Sequence, residues 1–289
     1  MNFFPLTIND KDKVNAILHS QVAYTWEMCF NEILLWPGYT STQYAILDGL
    51  IVFRCKYNGD EPYFRVPMGI GDKAECVKKI IEEYKTPIFQ GVPKQELKYF
   101  DTDFFEIIPH RNAFDYCYDI EKLATLKGKK MNKKRNHWNA FSQLNYELRD
   151  LNPQEAKKIY QDWFGEHKQA TVEMFNAEKI ELEFFLDNYE DFPEFDGNSL
   201  YVDGKLVAFC ISQKISDEMI ITHFEKANPE IRGSFVAINK LHSENLHAKY
   251  PSVKYINREE DGGIEGLRKA KLSYYPDFMV EKYTLVPKK

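Results

Sequence analysis

The stretch Asn257-Arg-Glu-Glu-Asp-Gly-Gly263, followed at once by Ile264-Glu-Gly-Leu-Arg-Lys-Ala-Lys271, crowds cations, carboxylates and glycines onto what reads as a strand end and a helix start. In open α/β sheets such strand ends border the crevice where ligands bind. Asn257, Arg258, Arg268 and Lys271 are candidates for holding substrate. The three cations have the charge to grip donor phosphates or the oxyanion of an acyl transfer. Glu259 is a candidate base for an amine nucleophile, and Tyr274 a candidate proton donor to a leaving group. Glu265, Arg268 and Lys271, at i, i+3 and i+6, are expected on a loosely shared helix face. The plain alternative is a surface turn whose acids sit near a helix N-terminus, where the dipole favours them.

Three other places carry comparable signals. Phe224 to Ser234 reads as a strand-to-helix junction whose free N–H groups could hold an anion. Glu225 there is a second candidate base if burial raises its pKa, and otherwise an exposed strand-end carboxylate. The run Lys127-Gly-Lys-Lys-Met-Asn-Lys-Lys-Arg-Asn-His137 is strongly basic. Lys130 and Lys134, at i, i+4, share a helix face. Together with Arg135 they suit a docking surface for the phosphates of a nucleotide, tRNA or lipid head group. The alternative is a solvated helix. Arg111 and Asp115 complete the candidates for substrate binding, with an ordinary salt bridge as their plain reading. His223, on an apolar strand, reads as a core histidine.

Those residues need a scaffold. In the second half, Asn145–Leu151 reads as a strand, followed by helices from Pro153 and from Ala177. A hairpin over 199–212 turns on Asp203-Gly204, a pair suited to a type I′ turn. A strand (Glu218–Phe224), a long helix (Pro229–Tyr250), a short strand (Ser252–Asn257), a helix (Ile264–Tyr274) and a last strand (Phe278–Leu285) follow. The first half repeats this order. It has a helix at Lys11–His19, a second ending at Pro37-Gly38, a hairpin on Asp48-Gly49, a strand at Glu61–Met68 and a helix from Asp72. A strand at Thr86–Gly91, a short helix at Lys94–Phe100 and a strand at Phe104–Ile108 complete it. A repeat of this length is a duplicated domain rather than a short-period solenoid. The expected organisation is one lobe over 1–125, a basic connecting helix over 126–144 and a second lobe over 145–289.

Bulk composition limits the function. The 289 residues are 44% hydrophobic and 15% aromatic, enough for packed cores, and the 18 Tyr and 21 Phe belong mainly there. No run of about 18 apolar residues exists, so no membrane span is expected. The start has no basic region before an apolar stretch, so no signal peptide is expected. Five cysteines, odd in number and without a CxxC pair, read as reduced thiols of a cytoplasmic protein. Seven histidines lack metal-ligand spacing, and no metal is expected. A net charge of −6 argues against generic nucleic-acid binding, and no DNA partner is expected. Ser-His-Asp hydrolases, P-loop enzymes and GxGxxG dinucleotide binders are excluded by their missing motifs. Oligomeric state leaves no sequence signal.

The element order, the basic connector Lys130–Phe141, the stretch Phe114-Asp-Tyr-Cys-Tyr-Asp119 and the closing stretch Asn257–Pro276 resemble an uncharacterised bacterial family. It is related to the C-terminal domain of phosphatidylglycerol lysyltransferase. The resemblance covers nearly the whole chain and is most specific in the closing stretch. It implies an α/β fold with mixed sheets, built as a tandem duplicated GNAT acyltransferase-like unit and similar to the Fem-type transferases. It also implies an acyl- or aminoacyl-transferase, with acceptor and donor ends in an inter-lobe cleft near Arg258, Arg268 and Lys271. The acceptor would be an amine or hydroxyl, and the donor an aminoacyl-tRNA or acyl-CoA. Single-unit acetyltransferases hold the CoA pyrophosphate on a Q/R-x-x-G-x-G/A loop. With Arg232 in the first position, Phe235 takes the glycine place. With Gly233 in the glycine place, Glu230 comes first. A ring blocks close backbone approach and a carboxylate opposes phosphate, so aminoacyl-tRNA is the favoured donor. The rival reading is a non-catalytic module that binds an anionic, phosphate-bearing ligand.

Overall fold

Both Asp-Gly pairs make the tight turns their chemistry dictates. Asp48 and Gly49 take φ of 50° and 81°, and Asp203 and Gly204 take 50° and 74°. The type I′ turn needs positive φ at both central residues. In the computed structural model, which describes residues 1–35, 41–56, 61–166 and 173–289, these turns join β2 (Gln43–Leu47) to β3 (Leu50–Cys55), and β10 (Phe195–Val202) to β11 (Lys205–Lys214). The expected helix stop at Pro37-Gly38 lies outside the described residues.

The chain forms two compact units. The first comprises 1–115, 260–263 and 280–289; the second comprises 116–259 and 264–279. The first unit holds β1 (Phe4–Pro5), α1 (Lys11–Leu18), α2 (Phe30–Leu35), β2, β3, β4 (Tyr63–Phe64), β5 (Met68–Gly69), α3 (Lys73–Tyr84), β6 (Ile88–Pro93) and β7 (Phe105–Pro109). The single strand expected over 61–68 is two short ones, separated by Arg65-Val66-Pro67; proline has no N–H for a ladder. Asp72 caps α3 through a 3.0 Å bond from Glu75 N, as its position predicts. Lys94–Tyr99 is helical but 3-10 rather than α. The buried rings of Phe64, Phe89, Phe100 and Phe105 pack on one another at centroid distances of 4.9–5.8 Å and form much of this core.

The second unit holds β8 (Asp115–Asp119), α4 (Ile120–Thr125), α5 (Asn132–Phe141), β9 (Tyr146–Asp150), α6 (Pro153–Glu166), α7 (Glu173–Asp187), β10, β11, β12 (Met219–Ala227), α8 (Ser234–Lys249), β13 (Tyr255–Asn257), α9 (Glu265–Leu272) and β14 (Phe278–Val280); β15 (Lys282–Pro287) closes the chain. The duplication shows in the crossovers. In each unit a strand, a helix and a second strand make a parallel pair: β4-α3-β6 and β12-α8-β13. Such a connection needs an intervening helix. The mixed α/β architecture in two sheets is the tandem arrangement that the element order predicts.

The unit borders differ from the expected lobes, for a reason visible in the ladders. The first sheet runs β1-β2-β3-β4-β6-β15-β7, with β5 beside β3; the second runs β14-β8-β13-β12-β11-β10-β9. The last strand expected over 278–285 is divided at Glu281. Its first part, β14, lies beside β8, and its second, β15, lies between β6 and β7. Each sheet therefore takes an interior strand from the opposite half of the chain. The basic segment 126–144 is not a free-standing connector. Met131, Trp138 and Phe141 pack into the second unit's core, with Tyr116, Tyr118, Leu200, Val236 and Ala237 among their surroundings. All five cysteines are buried thiols. Among the described residues no helix is long and apolar enough to cross a membrane.

Candidate functional site

In the second unit β12 and β13 pair only from Met219↔Tyr255 to Ile221↔Asn257, after which β12 continues without β13. Just beyond that point β12 carries a bulge. Ile211 faces Phe224 and Ser212 faces Thr222, leaving His223 as the extra residue. Bulges re-aim side chains and recur beside active sites. Asn257, Arg258 and Glu259 leave the end of β13 at the same level. Glu259 takes φ 56°, left-handed for a residue with a side chain. That costs about 1–3 kcal/mol and persists only where the surroundings enforce it. Asn257 is one enforcer: its Oδ1 accepts from Glu259 N at 2.7 Å. Glu259 Oε1 meets His223 Nδ1 at 3.0 Å.

Arg258 turns back across the diverging strands. Its Nη2 donates to Glu225 Oε1 at 2.8 Å, and Asn239 Nδ2, from α8, donates to Glu225 Oε2 at 2.8 Å. The Glu225 and Arg258 side chains are only 10% and 12% exposed, so Glu225 is a buried, paired carboxylate and not an exposed strand-end acid. Burial opposes the Arg258 charge, but Glu225 more than offsets it and raises its pKa. The Arg258 guanidinium lies 4.8 Å from the Tyr274 ring centroid and 5.7 Å from that of Tyr118. Such ring faces attract cations. Burial keeps the Tyr274 hydroxyl protonated, with its pKa above the usual value even though Arg258 pulls it down.

Lys134 reaches the same ring from α5, its Nζ 3.6 Å from the Tyr274 centroid. Burial, with repulsion from Arg258, lowers its pKa to about 8 against a pull upward from Glu225. Lys130, one turn earlier, is exposed and lies over the next ring, Tyr275, at 5.4 Å. Arg135 is taken up structurally. Its Nη1 donates to the carbonyls of Leu126 and Gly128 at 2.6 and 2.7 Å, closing the turn at the end of α4.

Glu265, Arg268 and Lys271 do not share a working face. Six residues along a helix advance by about 240°. Lys271 is buried and donates to the Arg258 carbonyl, its Nζ 5.9 Å from the Tyr116 ring. Arg268 is half-buried, and exposed Glu265 pairs with Lys269 at 2.6 Å. The structure thus brings together Glu225, Arg258, Tyr274 and Lys134, with Glu259 and Asn257 in the adjoining turn and Lys271 behind it. Asn239 and Tyr118 join them unforeseen. Asn239 had a signal, a polar amide directly after the buried apolar run Val236, Ala237 and Ile238.

Arg111 and Asp115 belong to the first unit. Arg111 reaches Asp261 at 3.3 Å. Asp115 is wholly buried and pairs with Lys282 at 2.7 Å; Lys282 also meets Glu27 at 2.8 Å and Glu260 at 3.7 Å. Burial works against the Lys282 charge, but Asp115, Glu27 and Glu260 outweigh it and raise its pKa. This is a core ion cluster. Elsewhere in the second unit an open depression of about 620 Å³ is lined by Arg149, Asp150, Asn198, Leu241, Glu244 and Asn245. It contains none of the sequence candidates and no strained turn, so the cluster around Arg258 is the stronger site.

Two diverging parallel strands, a bulge and a buried Glu–Arg pair beside a tyrosine mark the site of this mixed α/β domain. The chain belongs to the family described as phosphatidylglycerol lysyltransferase, C-terminal, whose model matches residues 21–286. It is similar to a conserved protein of unknown function from Bacteroides thetaiotaomicron. The two are 33% identical, the match covers 100% of both chains, and the TM-score is 0.91. It shares its fold with L-PGS from Bacillus licheniformis, at 15% identity over 96% of this chain and 91% of that one, with a TM-score of 0.67. An uncharacterised protein of Mycoplasmoides gallisepticum is 26% identical over 208 residues; the match spans 65% of this chain and 61% of that relative's length.

Proposed function

We propose that the chain transfers an activated aminoacyl group to an amine or hydroxyl acceptor at the Glu225–Arg258–Tyr274 cluster. The observation carrying this reading is the buried Glu225–Arg258 pair beneath Tyr274, where β12 and β13 diverge. The acceptor attacks the ester carbonyl, the new bond to nitrogen or oxygen forms, and the ester C–O bond breaks. Arg258 neutralises the oxyanion, a term usually large in acyl transfer. Glu259, oriented by His223, accepts the acceptor's proton. Tyr274 supplies a proton to the departing hydroxyl. Glu225 holds Arg258 in place.

Aminoacyl-tRNA suits this site better than acyl-CoA as donor. A pyrophosphate at the start of α8 would need open backbone N–H groups. Instead α5 is seated there: a Cβ built on Gly233 would lie 2.4 Å from the His137 carbonyl oxygen and 3.1 Å from Phe141 Cβ. A carbonyl oxygen at that spot opposes a phosphate. A tRNA donor implies work in the cytoplasm, and the exposed Lys130 can meet its backbone. The family's name gives lysine as the moved residue and phosphatidylglycerol as an acceptor to test first.

The test is mass spectrometry of acceptors after incubation with a set of aminoacyl-tRNAs, and separately with acyl-CoAs. Transfer from aminoacyl-tRNA, lowered at least about 100-fold by Arg258→Ala, is expected, since one oxyanion donor is worth about that much. No transfer from any aminoacyl-tRNA, or equal rates in the variant, would refute the reading.

A further inference from the structure

The charges around Tyr274 do not balance. Glu225 is satisfied on both oxygens, by Arg258 and by Asn239. Lys134 has no carboxylate partner among the described residues and rests against a ring face. Lys134 and Arg258 therefore face the single carboxylate of Glu225 beside the Tyr274 ring. Two further atoms are left over: Arg258 Nη1 and Asn239 Oδ1 are buried without a hydrogen-bond partner among the described residues. An orphaned buried donor costs about 1–3 kcal/mol, more when charged, and uncompensated buried charge is costlier still. Ordinary packing would remove such a surplus, as the first unit does by giving Lys282 the carboxylates Asp115 and Glu27.

Resting on the transferase reading and deepening it, we infer that this site receives an anionic oxygen group of the substrate, a carboxylate or a phosphate, against Lys134 Nζ and Arg258 Nη1. Such a group supplies the missing negative charge and accepts from the orphaned guanidinium N–H. A cationic group, such as the ammonium of a lysyl side chain, is repelled from the same place. The site thus discriminates by sign: whichever substrate presents an oxyanion next to the reacting carbonyl is accepted. Asn239 Oδ1, the leftover acceptor, is placed to take an N–H or O–H of the same substrate.

The experiment is a titration of the full chain with inorganic phosphate and, separately, with succinate, followed by thermal shift at constant ionic strength. Wild type, Lys134→Met and Lys205→Met are compared; Lys205 is the exposed first residue of β11, and its loss is the same charge change. Saturable stabilisation by one or both anions is expected. It should weaken at least about tenfold in Lys134→Met, as loss of one charge-assisted bond predicts, and be unchanged in Lys205→Met. Preference for phosphate points to a phosphate-bearing substrate, and preference for succinate to a carboxylate. Equal responses in all three proteins, or no saturable response, would overturn the inference. The two readings fail separately. Anion binding without transfer removes the transferase and leaves the receptor. Transfer that neither anion inhibits and that survives Lys134→Met removes the receptor and leaves the transferase.

Discussion

At the scale of single residues the site is a contest between burial and charge, and Lys134 shows it most openly. Its ammonium is partly withdrawn from water and faces Arg258, so its pKa falls from 10.5 to about 8. The folded state then binds the proton less tightly than the unfolded state. The penalty is complete below about pH 8 and is relieved as pH rises toward 10.5, where the unfolded chain also loses its proton. Lys134→Met is accordingly expected to raise the melting temperature at pH 7, with the gain shrinking across pH 8 to 10.5. A lower melting temperature at pH 7 would contradict this account. Arg258, Tyr274, Glu225 and Lys134 were all legible as candidates because their types suit acyl transfer. Their assembly was not, because residues 134, 225, 258 and 274 meet only through tertiary packing. The Arg258–Glu225 bond spans 33 positions. Asn257 and Arg135 were legible as polar and basic, and hydrogen bonds made by both help to shape turns.

Among the elements, α5 and α8 depend on one missing side chain. Gly233 has φ +89° and sits under the His137 carbonyl, with no room for a Cβ. Gly233→Ala is expected to cost about 1–3 kcal/mol from the backbone conformation alone, with the clash adding to it. Because α5 carries Lys134, the same change should also weaken anion binding. Chemical denaturation and the phosphate or succinate titration read these two effects independently. An unaltered unfolding midpoint would show that α5 does not bear on Gly233. The hairpins, the α3 cap and the order of strands and helices were legible because turn residues and hydrophobic periodicity are local signals. Local signals start α8 early, at Pro229, because none of them announces that a helix from elsewhere sets its N-terminus at Ser234. The division at Glu281 was hidden for the same reason: both flanking segments read as strand, and partner choice is not a local property.

For the whole molecule, the decisive feature is that β8 and β15 each complete the sheet of the other half. Lys282, on β15, is wholly buried and stands among Glu27, Asp115 and Glu260. Lys282→Met leaves those carboxylates short of a cation. Its expected cost is about 3–5 kcal/mol, the usual result of breaking a buried pair from one side. A fragment of residues 1–125 lacks β15 altogether, so β6 and β7 lose the strand between them. It should show no cooperative melting by circular dichroism, whereas independent folding would argue against the exchange. The duplicated order of elements was legible; the exchange was not, because the halves look self-sufficient when only their internal order is read.

That exchange also governs how the protein is born. The first half leaves the ribosome with a gap between β6 and β7, and the strand that fills it is translated about 170 residues later. At ordinary elongation speeds of roughly 5–20 residues per second this is a wait on the order of ten seconds. Throughout it Glu27 and Asp115 are without their lysine, and two strand edges stand bare. The first sheet is therefore completed only once the last strand has been made, and domain-by-domain maturation is closed to the first unit.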